Sequence, residues 1–329
     1  MSAFLGQLGQ KLAERWLTLL VLPGVLYLAA AASAHALGQT HLTSTSRISV
    51  QISTWSRSPT ATTTAGQVLV LAGILAAAAA AGLAAQGLGA GIERLALAAD
   101  WHTWPIPLRN LAAWRTAVRQ RRWGAAHQEY SRLYHAAAPA GAVTTAQDRE
   151  HRHVAQRTRD RIAAEHPQRP TWSGDRIHTA ATRLKRDRHL DLGLLWPHLW
   201  LTMPDAVRTQ ILDARQALAR ANTLAAWAVL YAALALWWWP ALILAILLVS
   251  IARHRIRDAA DTYATLLEAA VRVHAGELVQ TLGIEGTDPA SIQAGDKLMS
   301  LLRSTVPVAA LVNKPAPAIG APMAGTGRD

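Results

Sequence analysis

Three long windows of this chain carry no formal charge, and no other feature constrains its fold as much. Trp16–Ala36 is 21 residues whose only acidic or basic side chain is His35. As a helix it reaches about 31 Å, enough for a hydrocarbon core of about 30 Å. Gln67–Ile92 is 26 uncharged residues, long enough to cross with tilt. Ala221–Ala252 is 32 uncharged residues, or about 48 Å of helix, too long for a simple crossing. Its middle reads Trp237, Trp238, Trp239, Pro240. Tryptophan favours the membrane–water interface and proline a turn, so this window predicts a tight hairpin, with one long kinked helix as the alternative.

Flanking charge sets the orientation. Arg215 and Arg220 precede the third window, and Arg253, Arg255 and Arg257 follow it. The positive-inside rule puts both flanks in the cytoplasm, which requires an even number of crossings. Each arm of the hairpin then has only about 15 residues, so flanking arginines must snorkel. Lys11 and Arg15 place the N-terminus inside as well. Ala34-His35-Ala36 resembles a signal-peptidase site, but the preceding run exceeds the usual 7–15 residues, so a retained span is expected.

The expected fold is all-α: an integral membrane protein with four transmembrane helices in two hairpins and a helical cytoplasmic module. Residues 1–15 read as an amphipathic helix and 16–92 as the first hairpin, with an external loop at 37–66. Residues 93–220 form the cytoplasmic domain, with 21 basic against 12 acidic residues. Residues 221–252 are the second hairpin, 253–303 cytoplasmic helices, and 304–329, rich in Pro, Gly and Ala, a disordered tail. This reading places the chain across a membrane with both termini cytoplasmic.

Within the cytoplasmic domain a helix is expected from about Pro107, with Leu108, Leu111, Trp114 and Val118 on one face. That face either lies on the membrane or packs against other helices. Trp101, Trp104, Trp114 and Trp123, with Trp237, Trp238 and Trp239, are the candidate interface residues. Arg121, Arg122, Arg183, Lys185, Arg186 and Arg188 are candidates for contact with anionic lipid or a partner. In the second window Gly73, Ala77, Ala81 and Ala85, then Gly87 and Gly91, recur at intervals of four, a spacing that lets helices approach closely. Thr202 is expected to cap a helix starting at Pro204-Asp205.

Motifs for chemistry are missing. The chain has no cysteine, which excludes disulfides and thiolate chemistry. His-x-His at His151 and His153 does not share a helical face, and no H-E-x-x-H, G-x-S-x-G or G-x-x-x-x-G-K-[ST] occurs. No metal, no cofactor and no enzymatic activity are therefore expected, with an unrecognised His127–His153 site as the weakest reading. The spans hold no Asp, Glu or Arg, which disfavours ion-coupled transport. A net charge of +12 suits an anionic membrane surface, and tethering there disfavours nucleic acid.

The segments Gly174–Leu218 and Asp261–Ile284 carry Trp196–Leu199 (Trp-Pro-x-Leu), Met203–Asp205 (Met-Pro-Asp) and Leu282–Ile284 (Leu-Gly-Ile). On these motifs, across about a third of the chain, it resembles bacterial, largely actinobacterial, multi-pass membrane proteins of uncharacterised function. The resemblance implies a membrane protein with a helical cytoplasmic module and lends no catalytic residue. The functional expectation is a non-enzymatic inner-membrane anchor or scaffold. Its basic module would recruit a protein partner beside membrane lipids. The alternative is an oligomeric pore or permeabilising effector, in which copies of the chain pair.

Overall fold

The computed structural model describes residues 21–37, 63–99, 101–136, 145–284, 288 and 291–303. The expected N-terminal helix, most of the external loop and the 304–329 tail lie outside the described residues. Among the described residues there is no strand, and every long element is an α-helix. In chain order these are α1 (Leu22–Leu37), α2 (Thr64–Leu97), α3 (Ile106–Ala136), α4 (Ala146–Ile162), α5 (Trp172–Arg188), α6 (Leu192–Thr202), α7 (Asp205–Leu234), α8 (Pro240–Thr281) and α9 (Ile292–Arg303).

The chain divides into two compact units, one of Met1–Thr182 with Pro204–Ala270, the other of Arg183–Met203 with Val271–Asp329. In the larger unit α2 is the central staff. Thr63 caps it by accepting from the Gly66 amide at 3.2 Å. Its packed face is built of small residues, with Gly66, Ala78, Gly82, Ala85 and Gly89 buried. Gly24 of α1 lies against the Ala78 carbonyl so closely that a Cβ there would overlap it. A Cβ at Gly89 would come within 2.9 Å of Thr223 Cα on α7. At these two crossings the missing side chain sets the approach of the helices.

The third charge-free window folds as an antiparallel pair. α7 ends at Leu234 and α8 begins at Pro240, a residue suited to a first helical turn. Trp237 N–H and Trp238 N–H both donate to the Leu234 carbonyl, at 3.1 Å, and Ala241 N–H donates to Trp238. Beyond this turn Ala225 and Val249 line one cleft. Further on, Tyr263 lies beside Arg215, which is paired with Glu93 of α2. A single continuous helix would hold Arg215 and Tyr263 about 70 Å apart. The turn packs on the end of α1, where Ala34, Leu234 and Ala241 are buried beneath Tyr27 and Tyr231.

Two helices, α2 and α7, are long and apolar enough to cross a membrane. The described part of α1 is 16 residues. In α8 only Pro240–Ala252 precedes the first arginine, about 20 Å of helix. The structure therefore supports the all-α expectation and two crossing-length helices.

Arg176 of α5 makes a cluster of polar contacts with α8. Arg176 reaches Asp261 at 2.5 Å, Thr265 at 2.9 Å and Glu268 at 3.1 Å. α4, opened by a capping box between Thr145 and Asp148, is largely exposed but packs along α3, where Arg159 lies 4.6 Å over the Tyr130 ring.

In the smaller unit Leu195 and Leu199 of α6 and Leu298 and Met299 of α9 are buried. α5 ends with His189 in the left-handed region (φ 54°) and the Leu190 amide donating back to the Leu184 carbonyl. Asp191 caps α6 through the Gly193 amide at 3.0 Å. The expected cap at Thr202 does not form: its hydroxyl donates back to the Leu199 carbonyl, and Pro204 opens α7 without a side-chain cap. Proline at that position has no N–H of its own, so the helix start leaves fewer donors to satisfy.

Candidate functional site

α3 carries Arg115, Arg119 and Arg122 at spacings of four and three, which puts all three guanidiniums on one side of the helix. The same side faces the connection from α4 to α5, which α3 holds with three donors. Arg119 donates to the Ile162 carbonyl at 2.7 Å, Gln120 to Pro167 at 2.9 Å and Trp123 Nε1 to Ala163 at 2.9 Å. The far side of that connection is fastened to the end of α2, where Arg169 donates to the Leu97 carbonyl at 2.7 Å and the Thr171 hydroxyl to Ala96.

Between α3, this connection and α8 lies a cleft of about 720 Å³. Its polar wall is formed by Arg115, Arg119, Arg122, Arg161, Arg253 and Arg257. Its apolar part is Val249, Ala252, Ile256 and Ala225, with Trp114 at one side. Arg257 donates to the Arg161 carbonyl at 3.0 Å and lies 5.0 Å over the Trp172 ring.

Asp175 is the carboxylate that meets this charge. It lies 2.7 Å from Arg119 and accepts the Gln168 and Arg169 amides at 2.9 and 2.7 Å. Burial pushes its carboxyl up, against the pull of Arg119 and the two amides. Burial pushes the Arg119 guanidinium down; Asp175 opposes this, and the neighbouring charges of Arg257 and Arg115 add to it. Arg257 is lowered by burial and by Arg253. The arginines thus repel one another in a partly dry space, and an anion placed among them would relieve that repulsion.

Of the interface tryptophans, Trp114, Trp237 and Trp239 are exposed. Leu108 and Leu111 are exposed beside Trp114, while Ala112 and Thr116 face inward. Among the described residues no helix covers Leu108, Leu111 or Trp114, whereas Val118 of the same face is half-buried at the cleft. Trp101, Trp104, Trp123 and Trp238 are partly buried. Trp101 donates to the Gln168 carbonyl at 3.3 Å, and Trp123 stacks on His127 with ring centroids 4.6 Å apart. These two belong to the helical body, because an indole N–H with a backbone acceptor is anchored there.

Arg121 and Arg122 are exposed, and Arg122 reaches the cleft. Arg183, Lys185, Arg186 and Arg188 belong to the smaller unit, where Arg186 pairs with Asp187 at 3.0 Å. A Cβ added at Gly73, Gly87 or Gly91 would meet no neighbour within 4 Å, and Ala77 is exposed while Ala81 is half-buried. Of the expected stripe Ala85 is buried; the other small residues buried on the same length of α2 are Ala78, Gly82 and Gly89, beside the stripe and not in it.

Sequence reasoning missed Arg115, Arg119 and Arg161 as one group with Arg253 and Arg257. The four-residue spacings of Arg115 with Arg119 and of Arg253 with Arg257 were the available signal. In the His127–His153 region Glu129 pairs with Arg132 and Glu150 with Arg157. Among the described residues no group of three His, Asp or Glu side chains stands close enough to hold a metal ion. No protein family, curated protein or solved structure matches the chain.

Proposed function

We propose that the chain is a non-enzymatic anchor of the bacterial inner membrane whose helical body recruits a protein partner at the cytoplasmic face. The observation that carries this reading is the division of charge along the larger unit. One end holds the α7–α8 turn, with exposed Trp237 and Trp239 and no Asp, Glu, Lys or Arg. The other end collects Glu93, Arg215, Arg253 and Arg257 with the arginines of α3. Exposed Val68, Leu69 and Leu71 on α2 and Leu242, Ile243, Ile246 and Leu247 on α8 suit a lipid environment.

In this reading α1 with α2, and α7 with α8, are two membrane hairpins, and both termini are cytoplasmic. The short α8 arm is completed by arginines that snorkel to the headgroups. The solvated α4, with Val154 exposed, offers the recruiting surface. The resemblance to multi-pass membrane proteins belongs to the same reading.

A photo-crosslinking residue at Val154 in living cells tests it. The expected result is a discrete crosslinked protein that is absent when the probe sits at Leu69. A probe scan along α4 that yields no discrete adduct counts against recruitment. The unpacked Gly73, Gly87 and Gly91 support a second reading, an oligomeric pore; dye release from liposomes carrying verified oligomers would favour it.

A further inference from the structure

We propose that the arginine cleft is a binding site for the phosphate headgroup of an anionic phospholipid. The inference rests on the membrane reading above and adds a specific ligand and specific residues to it.

Charge complementarity comes first. Six guanidiniums line the cleft, and Asp175 is the carboxylate paired among them, through Arg119. Among the described residues no carboxylate pairs with Arg115, Arg122, Arg161 or Arg253. A guanidinium presents a planar fork of donors that matches a phosphate's oxygens two at a time. A free phosphate would need only this half of the site.

The second half is apolar and is what commits the site to a lipid. Val249, Ala252 and Ala225 line the cleft where the uncharged stretches of α7 and α8 end. Arg253 follows Ala252 directly, so charge and hydrocarbon meet within one helical turn. Trp114, 63% exposed, continues into the exposed Leu108 and Leu111 of α3. An indole beside an apolar face and an arginine row is the arrangement of a helix lying at the headgroup level. A basic recess between helices at this depth is suited to an anionic headgroup, with its acyl chains running along α8.

The test uses the full chain, purified in detergent and studied by native mass spectrometry. Titrations with phosphatidylglycerol, cardiolipin and phosphatidylcholine are compared. Retention of both anionic lipids over phosphatidylcholine is expected. The variant Arg115→Ala/Arg122→Ala/Arg253→Ala changes exposed side chains and should weaken that retention about a hundredfold. Arg109→Ala, an exposed arginine on the same helix outside the cleft, should leave it unchanged. The corresponding triple lysine variant should recover part of it, because charge returns without the fork. Circular dichroism checks that each variant keeps the helical content of the parent chain.

Equal retention of phosphatidylcholine overturns the proposal, as does a triple alanine variant that binds like the parent. Displacement of the lipid by millimolar inorganic phosphate would show a free-anion site and also overturn it. Carbonate extraction of membranes separates the two levels. A chain that stays with the membrane but does not select anionic lipid sinks this inference alone, and a chain that is washed off sinks the membrane reading too.

Discussion

His178 shows how one side chain in the larger unit is poised by its neighbours. Its Nδ1 lies 3.2 Å from the Arg169 guanidinium, a group that only donates. Its Nε2 lies 2.8 Å from the Gln168 amide oxygen, so the ring accepts at Nδ1 and donates at Nε2, and is neutral. Burial first, then the Arg169 charge, hold its pKa below the ordinary 6.5. The folded state therefore binds fewer protons than the unfolded one as pH falls below 6.5. The contribution of His178 to stability is present above that value and is lost as pH falls through the lower, native one. Melting temperature should drop on acidification, and His178→Gln should flatten part of that slope. An identical slope in the variant would remove the assignment. His178 drew no attention as a sequence, because a lone histidine between Ile177 and Thr179 says nothing of the arginine that faces it.

At the scale of elements, α2 poses a choice that composition cannot make. Nearly every residue from Ala77 to Gly91 is small, so several four-residue stripes coexist on the same helix. Close packing follows none of them strictly but buries Ala78, Gly82, Ala85 and Gly89, at steps of four, three and four, because α1 and α7 both lie on that side. Gly24→Ala should cost about 1–3 kcal/mol, since the added methyl meets backbone that cannot move aside. Gly73→Ala opens onto empty space and should be neutral or up to about 1 kcal/mol stabilising, through helix propensity alone. Thermal unfolding in detergent separates the two. A Gly73→Ala variant as destabilised as Gly24→Ala would mean that a second copy covers that face, the contact an oligomeric pore requires.

At the scale of the whole molecule, topology is the decisive quantity. The antiparallel pairing of α7 and α8 brings the flanks of the third window to the same end of the larger unit, where Arg215 meets Glu93 and Arg253 meets the cleft. Paired reporters fused after Asp329, one active inside and one outside, should report the cytoplasm. An exterior C-terminus would mean that residues 221–252 cross once and would overturn α7 with α8 as a membrane hairpin.

Helical class and the uncharged windows were legible because both are properties of a local run of residues, read from its periodicity and charge. The turn at Trp237–Pro240 was legible for a similar local reason: proline cannot continue α7, and an uncharged run of 32 residues is too long to cross once. The arginine cleft was not legible, because its members come from residues 115–122, 161 and 253–257. Local spacing orients a side chain about its own helix axis. Which helices then face one another is settled by packing between distant parts of the chain, through contacts such as Arg176 with Glu268, 92 residues apart, and Trp123 with Ala163, 40 residues apart. The sequence by itself determined where the chain is charged and where it is uncharged, since that depends on composition along a line. Only the tertiary structure decided which charges share a space, since that depends on the crossings the small residues permit.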